Sequence, residues 1–248
     1  GSEMCIRDST GTRLCDPISM LLIDSADPAQ LLKALAHPAV SGCTTNPTLF
    51  ARAAGVDALP AGEYLRRTHQ LCRTVSSLRL PHRTEPRVLM LQGVGATEDI
   101  LALGRVWTEA LVGTPWQLWV KLPPTEEGLA TIAPLKARHI ATLVTAIYTT
   151  PQAYLACEAG ADGLAVYVGR LQRSAPEWPG ILAAIRSVTR TYGRRLLLAS
   201  LPDLSTVEAA LAHSADLTLP PQLLPELLAS RDSEAALAEF SSRIVRPG

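Results

Sequence analysis

The sequence predicts an α/β protein that folds as a single (β/α)8 barrel, also called a TIM barrel. From residue 20 onward, eight short apolar runs alternate with longer segments of helical periodicity, and the chain of 248 residues has the size usual for this fold. An open, doubly wound sheet is the structural alternative, but a glycine-rich phosphate loop usually follows the first strand of such a sheet. The first apolar run here ends LLIDSAD, without a glycine, which favours the barrel.

The eight predicted strands are short, rich in aliphatic residues, and bounded by polar residues, glycine or proline. In chain order they are MLLIDS at 20–25, VSGCTTN at 40–46, RVLMLQG at 87–93, QLWVKLP at 117–123, ATLVTAIY at 141–148, GLAVYVGR at 163–170, RLLLAS at 195–200 and DLTLP at 216–220. The long interval between the second and third strands is predicted to hold extra helix, in LFARAA and AGEYLRRTHQLCRTVSSL. We expect residues 20–248 to form the barrel domain and residues 1–19 to be a loose polar leader.

The charge balance argues against several classes of function. Lysine plus arginine equals aspartate plus glutamate at 23 each, so the formal net charge is zero. The basic footprint of a nucleic-acid or membrane-surface binder is therefore missing. No apolar run approaches the roughly 20 residues that a membrane-spanning helix needs, and the polar start has no apolar signal core. We expect a cytoplasmic protein without nucleic-acid or membrane partners.

The cysteines and histidines form no metal-ligand pattern. The five cysteines have no CxxC spacing, and the five histidines have no HxxxH or HExxH spacing. This argues against a disulfide framework and against a zinc site. We expect no metal and no other cofactor.

Polar side chains interrupt the apolar strands near their carboxyl ends, where (β/α)8 barrels carry their chemistry. A loop-entry role could explain any one of them, but seven strands deliver such side chains to the same rim. The set is Asp24, Thr44, Thr45, Asn46, Gln92, Lys121, Thr145, Tyr167, Arg170 and Ser200. We interpret this set as a candidate active site.

Lys121 stands in the middle of the apolar run QLWVKLPP, where an ammonium group costs free energy unless it is paired. One interpretation is structural: the side chain snorkels out of the strand or pairs with a buried carboxylate, for which Asp24 is available. The other is catalytic: desolvation favours an uncharged amine, which attacks a ketone and forms a Schiff base. Such a Schiff base draws electrons when a neighbouring carbon–carbon bond breaks. The lysine alone leaves both interpretations open.

The motifs LLIDSAD, GCTTNPTLF, VLMLQG, WVKLPPTEEGLATI, TLVTAIY, AVYVGR and LLLAS, in this order, resemble those of the transaldolase family. The likeness covers about residues 20–240 and is closest to the short branch that contains fructose-6-phosphate aldolase. TTNP after the second strand, combined with the lysine of the fourth, is its most specific part. The resemblance implies a (β/α)8 barrel, a class I mechanism with Lys121 as the Schiff-base lysine, and no metal.

The resemblance also implies roles for the other residues of the candidate site. Asp24 is similar to the carboxylate beside the sugar hydroxyl that loses its proton as the bond breaks. Gln92, Thr145 and Tyr167 resemble the trio that positions a catalytic water. The implied substrate-binding residues are Asn46 for the hydroxyls of the donor, Arg170 for a phosphate, and Thr45 and Ser200.

Two positions separate aldolases from transaldolases in this family. Transaldolases generally carry a glutamate where this chain has Gln92, and a phenylalanine where it has Tyr167. An amide does not titrate, whereas a phenol can protonate the enamine and release the donor as a free ketone. The sequence therefore favours a class I aldolase that joins a dihydroxyacetone-type ketone to a short aldehyde such as glyceraldehyde 3-phosphate. The alternatives are a transaldolase that moves a dihydroxyacetone unit between sugar phosphates and a non-catalytic barrel that binds a sugar phosphate or a protein.

The chain departs from the family pattern after the seventh strand and at its C-terminus. Relatives usually have a phenylalanine and a cation after the serine, whereas this chain reads ASLPDLST, with Pro202 and Asp203. An acidic side chain there would repel a phosphate, which weakens the case for a phosphorylated acceptor. The resemblance implies a homo-oligomer, but the short segment LAEFSSRIVRPG argues against the large ring of the aldolase branch.

Overall fold

A computed structural model of the chain describes residues 19–81, 83–213 and 215–243. Its eight strands are parallel, each pairs with the next, and the first pairs with the last, so the sheet closes into a barrel. The strands are β1 (Leu21–Asp24), β2 (Val40–Thr44), β3 (Arg87–Gln92), β4 (Trp116–Leu122), β5 (Ala141–Ile147), β6 (Gly163–Tyr167), β7 (Arg195–Ala199) and β8 (Asp216–Leu219). The predicted (β/α)8 fold is confirmed. Of the predicted leader, residues 1–18 lie outside the described residues.

Helices connect the strands in chain order. They are α1 (Pro28–Leu35), α2 (Pro47–Ala53), α3 (Ala61–Ser77), α4 (Thr97–Leu111), α5 (Glu126–Ala130), α6 (Ile132–Lys136), α7 (Thr150–Glu158), α8 (Val168–Ser174), α9 (Trp178–Thr191), α10 (Leu204–Leu211), α11 (Leu223–Glu226) and α12 (Arg231–Ser242). Both α2 and α3 lie between β2 and β3, which confirms the extra helix predicted there. No helix in the described part of the chain combines the length and the apolar character needed to cross a membrane.

The inside of the barrel is filled by apolar side chains from alternate positions of the strands. This interior cluster consists of Leu22, Val88, Met90, Trp119, Leu143, Ala165 and Leu197. Successive residues of a strand point to opposite faces, so the residue two positions further on points into the barrel as well. At the carboxyl ends, those next inward positions are Asp24, Gln92, Lys121, Thr145 and Tyr167. Strand alternation therefore carries the predicted polar side chains to one rim, above an apolar plug.

The end of the sixth strand differs from the prediction. The run GLAVYVGR was predicted to be extended over 163–170, but β6 stops at Tyr167 and α8 begins at Val168. The cause is a close contact between α8 and the end of β7. The Gly169 amide donates to the Ser200 carbonyl at 2.9 Å, and a Cβ on Gly169 would lie 2.4 Å from that oxygen. Glycine therefore permits the chain to turn into a helix at this point, and it places Arg170 on that helix rather than on the strand.

Candidate active site

A cavity of about 450 Å³ opens at the carboxyl ends of the strands, within the usual range for small-molecule sites. We call it the central cavity. Eight of the nine residues predicted to be catalytic or substrate-binding line it: Asp24, Asn46, Gln92, Lys121, Thr145, Tyr167, Arg170 and Ser200. The structure thus brings together side chains from seven parts of the barrel that are far apart in sequence.

Lys121 lies deep in this cavity, with only 4% of its surface exposed. Its Nζ donates a hydrogen bond of 2.9 Å to the carbonyl oxygen of Thr45. The amine is therefore held by a neutral backbone group and not by a hydrogen bond to Asp24, the carboxylate that the structural interpretation offered as a partner. An amine without a bound carboxylate keeps its lone pair accessible once it loses its proton, which is what attack on a ketone needs.

Thr45 is the predicted site residue whose side chain does not line the central cavity. It directly follows β2 and is fully buried, and its Oγ1 has no hydrogen-bond partner among the residues that the structure describes. Its backbone contributes instead, through the carbonyl that accepts from Lys121. Thr45 thus contacts the lysine through its backbone, and its role in substrate binding stays a prediction.

Asp24 ends β1 in the same cavity, and burial raises the pKa of its carboxyl group. The positive charge of Lys121, a hydrogen bond from Thr44 and the charge of Arg52 all lower that pKa, but burial is the larger effect. The Thr44 hydroxyl donates to Asp24 Oδ1 at 2.7 Å and lies 2.7 Å from the Thr218 hydroxyl. Because the Thr44 proton goes to Asp24, Thr218 must be the donor in the second bond. This chain of hydroxyl groups fixes the direction of the carboxylate.

The Gln92 side chain is oriented by two backbone carbonyls. Its Nε2 donates to the carbonyl oxygens of Lys121 at 3.1 Å and Gly93 at 3.3 Å. The Gln92 carbonyl in turn accepts from the buried Tyr64 hydroxyl at 2.8 Å, which anchors this strand end to α3. Both amide protons are thus engaged, and Oε1 is the polar atom left for a ligand in the central cavity.

Tyr167 presents a phenol to the central cavity with its proton free to be donated. The Thr145 hydroxyl donates to the Tyr167 oxygen at 3.3 Å, so the tyrosine accepts in that bond and can donate in another. The guanidinium carbon of Arg170 lies 5.3 Å from the centre of the Tyr167 ring, and Tyr148 packs against the ring edge-on at 6.1 Å. These contacts hold the ring in place and leave the hydroxyl at the cavity wall.

Asn46 and Ser200 occupy special backbone positions at the rim. Asn46 is the N-cap of α2, and its Oδ1 accepts from the Leu49 amide at 3.0 Å, so its Nδ2 is left to donate to a ligand. Ser200 has φ 59°, in the left-handed region that non-glycine residues rarely occupy, and Ala146 in the same cavity has φ 58°. Backbone strain of this kind clusters at functional sites, where the surrounding structure maintains it.

Four polar residues that line the central cavity had no predicted catalytic or binding role: Thr44, Thr48, Arg52 and Thr218. Strand alternation could have identified Thr44, because Thr44 and Asn46 are two positions apart and share a face that excludes Thr45. Arg52 lies one helical turn beyond Leu49 on α2, so helix periodicity from the Asn46 cap could have placed it at the rim. Thr218 gave no signal beyond its inward register next to Leu22.

Asp203, predicted to repel a phosphate, does not line the central cavity. It is the N-cap of α10, and its Oδ1 accepts from the Thr206 amide, the Thr206 hydroxyl and the Ser205 hydroxyl, each at 2.8 Å. These bonds lower the pKa of its carboxyl group. The negative charge therefore caps the start of α10, and its repulsion of an anionic ligand in the cavity is weaker than the sequence suggested.

Comparison with known proteins identifies the family to which the chain belongs. A family model described as Transaldolase/Fructose-6-phosphate aldolase matches residues 21–245. Two relatives are named "Probable transaldolase". The one from Phenylobacterium zucineum is 30% identical and the match covers 92% of this chain and 97% of the relative. The one from Desulfitobacterium hafniense strain DCB-2 is 30% identical and the match covers 88% of this chain and 95% of the relative. A solved structure from Burkholderia cenocepacia J2315, named "putative phosphonomutase", is 18% identical, with a TM-score of 0.57 over 90% of this chain and 93% of that one, which shows the fold alone. With the family model matching almost the whole barrel, the chain belongs to the transaldolase/fructose-6-phosphate aldolase family.

Proposed function

We propose that this protein is a class I aldolase in which Lys121 forms a Schiff base with a dihydroxyacetone-type ketone. The observation that carries the proposal is the position of the Lys121 amine. It lies deep in the central cavity, is held by a carbonyl rather than by a carboxylate, and shares the cavity with Asp24. A buried amine and a separate, partly buried carboxylate are the two groups that Schiff-base cleavage of a carbon–carbon bond would use here.

In the cleavage direction, the uncharged Lys121 amine attacks the ketone carbon of a ketose, and loss of water gives a protonated Schiff base. The Asp24 carboxylate then takes the proton of the hydroxyl on the carbon beyond the scissile bond. The bond breaks, its electron pair moves toward the Schiff-base nitrogen to give an enamine, and the aldehyde leaves. Protonation of the enamine carbon and addition of water release the ketone and return the free amine.

The fate of the enamine distinguishes an aldolase from a transaldolase, and the residues around it favour protonation. The Tyr167 phenol can donate a proton, because Thr145 supplies the hydrogen bond that it accepts. The Gln92 amide cannot exchange protons, and its Oε1 can hold a water beside the phenol. Release of free ketone is therefore the outcome that this pair supports.

Group transfer is the second candidate function, and the names of the relatives favour it. Proteins about 30% identical to this chain are named "Probable transaldolase". In that reaction the enamine attacks a second aldehyde before it is protonated, and the dihydroxyacetone unit moves between sugar phosphates. Both reactions use the same Lys121 and Asp24 chemistry, so they differ in the partition of a single intermediate.

Reductive trapping tests the Schiff base. We expect borohydride, added in the presence of dihydroxyacetone, to attach the three-carbon unit to Lys121 and to no other lysine, as read by peptide mass spectrometry. Lys121→Met should remain folded, form no adduct and lose turnover, while Lys33→Met on α1 serves as the matched control. An unmodified Lys121 peptide from the wild-type protein would contradict the mechanism and would support a non-catalytic barrel.

A donor-by-acceptor panel tests the partition. Fructose 6-phosphate should release free dihydroxyacetone in the absence of an acceptor, and Tyr167→Phe should raise the ratio of transfer to release by about tenfold or more, since proton transfer by a positioned group contributes about 10²–10⁴-fold. The ratio is measured by chromatography of the products with erythrose 4-phosphate as acceptor. An unchanged ratio would show that the phenol does not protonate the enamine.

A further inference from the structure

A separate cavity of about 270 Å³ opens at the amino ends of the strands, on the face of the barrel opposite to the central cavity. We call it the amino-end cavity. Side chains at or near the starts of strands line it, among them Met20, Ser41, Val88, Trp119 and Arg195. It shares no lining residue with the central cavity, and the interior cluster that includes Val88 and Trp119 lies between the two. A ligand in the amino-end cavity is therefore separated from the chemistry at Lys121.

Trp119 brings an unused hydrogen-bond donor to this cavity. The side chain is only 7% exposed, and its Nε1 has no hydrogen-bond partner among the residues that the structure describes. A Cβ on Gly163 would lie 3.3 Å from Cζ3 of the indole, so the N–H, on the opposite edge of the ring, points away from β6. In contrast, Trp107 and Trp116 both donate from Nε1, at 3.0 Å and 3.1 Å. A buried N–H without an acceptor costs free energy, which a ligand oxygen would recover.

Arg83 supplies a second donor without an acceptor. Its Nη1 donates to the Pro38 carbonyl oxygen at 2.6 Å, and its Nη2 donates to Ser41 Oγ at 3.1 Å, so the guanidinium is held against the start of β2. Its Nε is buried and has no partner in the described part of the chain. Arg83 and Trp119 both line the amino-end cavity. Since an indole and a guanidinium can only donate, the complementary ligand group is one that only accepts.

The other charged groups at this cavity leave its inner end positive. Arg195 donates to Asp216 at 2.8 Å from Nε and at 2.7 Å from Nη2, and this ion pair is neutral as a unit. Asp216 Oδ1 also accepts from the Met20 amide at 2.7 Å. The remaining charges among the lining residues are Arg83 and Glu85. Glu85 is exposed, so water and salt screen its negative charge more than they screen the partly buried guanidinium.

We propose that the amino-end cavity binds a small aliphatic monocarboxylate, whose oxygens accept from Trp119 Nε1 and Arg83 Nε. An ionised carboxylate offers acceptors only, and its bond to a guanidinium is charge-assisted. Met20 and Val88 give the cavity an apolar wall against which the aliphatic end of the ligand packs. This site goes beyond the proposed function and does not depend on it.

Nuclear magnetic resonance of the ¹⁵N-labelled protein tests the site through the indole signals, assigned from nuclear Overhauser contacts. We expect butyrate to move the Trp119 Nε1–H signal to lower field, because a new hydrogen bond forms. The signals of Trp107 and Trp116 should stay in place, since their N–H groups already donate. Butyramide has the same shape without the charge and should bind about fivefold more weakly or less. Inorganic phosphate, an anion without an apolar end, should leave the Trp119 signal unmoved.

Three substitutions test the charge of the ligand. Arg83→Gln should weaken butyrate binding by about tenfold or more, because it removes a charge-assisted bond. Glu85→Gln should strengthen binding, because it removes the negative charge at the mouth. Arg105→Ala, which removes an exposed arginine of α4 that pairs with Glu109, should leave the affinity unchanged and is the matched control.

The inference would be overturned by a Trp119 signal that butyrate does not move, or by an equal response to inorganic phosphate. Unchanged or weaker binding by Glu85→Gln, equal binding by Arg83→Gln, or an equal loss in Arg105→Ala would overturn it as well. Circular dichroism identifies folded variants, and the titration of the wild type and of the exposed Glu85→Gln decides the matter if Arg83→Gln does not fold. Failure of the proposed function appears separately, as an unmodified Lys121 after borohydride.

Discussion

Gly169 is the contact through which α8 rests on the end of β7, and alanine at this position should force the two apart. The added Cβ would lie 2.4 Å from the Ser200 carbonyl oxygen and 2.9 Å from Cδ of Pro202. A backbone carbonyl and a proline ring cannot turn aside as a flexible side chain would. We therefore expect α8 to move outward and to carry Arg170 with it.

The expected cost follows from three contributions. Overpacking of this kind costs about 1–3 kcal/mol, and separating the Gly169 amide from the Ser200 carbonyl adds about 1 kcal/mol. The helical preference of alanine over glycine returns about 1 kcal/mol at most. The free energy of unfolding of Gly169→Ala should therefore fall by about 1–3 kcal/mol relative to the wild type.

Gly180→Ala is the matched control, because Gly180 lies in the first turn of α9 and a Cβ there meets nothing within 4 Å. It should be neutral or more stable by up to about 1 kcal/mol. Urea denaturation followed by tryptophan fluorescence gives both free energies, and kcat/KM for fructose 6-phosphate cleavage reports the displacement of α8. If the two variants were equally stable and equally active, the inferred docking of α8 on Ser200 would be wrong.

Two further substitutions test the hydrogen bonds of the cavity. Thr44→Val removes a hydrogen bond that lowers the pKa of Asp24, so that pKa should rise further and the acid limb of the pH profile of kcat/KM should move to higher pH. Thr108→Val, on the surface of α4, is the control. An acid limb that does not move would contradict the proposed role of the Asp24 carboxylate. Gln92→Glu places a carboxyl group against two carbonyl oxygens, and the free energy of unfolding should fall by about 2 kcal/mol from the two lost bonds. The new carboxyl should have its pKa raised above the unfolded value near 4.3, so the deficit should be smallest below about pH 4.3 and should grow as the pH rises through the raised pKa. Urea titrations across this range measure the deficit, exposed Gln117→Glu should show none, and a deficit independent of pH would contradict the orientation of the Gln92 amide.

The strands could be predicted because each carries its own local signal. Apolar runs of strand length, separated by amphipathic segments, fixed the order of all eight, and the polar ends then had to meet at one rim. The error at 163–170 arose where local and tertiary signals disagree. VYVGR reads as extended by composition, but the contact of Gly169 with a residue thirty-one positions later turns it into helix. The residues next to Gly169 in the sequence give no sign of that contact.

The sequence predicted which strands contribute to the site, but not always which residue at a strand end points into the cavity. Polar residues at the strand ends were found, but Thr45 was given a substrate-binding role and Thr44 was given none, because alternation was not applied within TTN. Arg52 could have been placed at the rim from the periodicity of α2, whereas Thr218 gave no signal beyond its inward register next to Leu22. Likewise Asp203 was read as a free charge, and only its three hydrogen bonds show that it serves the start of α10.

The carbonyl of Thr45 has a consequence for how this enzyme can be dissected. It accepts from the Lys121 amine, and in the proposed mechanism a protonated Schiff base at the same nitrogen would keep one N–H to donate to it. The group that would stabilise this proposed cation is a peptide oxygen, which does not titrate and which every amino acid at position 45 would supply. The position of this carbonyl is fixed by the backbone, because the Thr45 N–H donates a hydrogen bond of 3.1 Å to the Met90 carbonyl oxygen. A side-chain scan of the whole barrel would pass over this contact, and only a change in the backbone itself, such as an ester linkage introduced after residue 45, would weaken it.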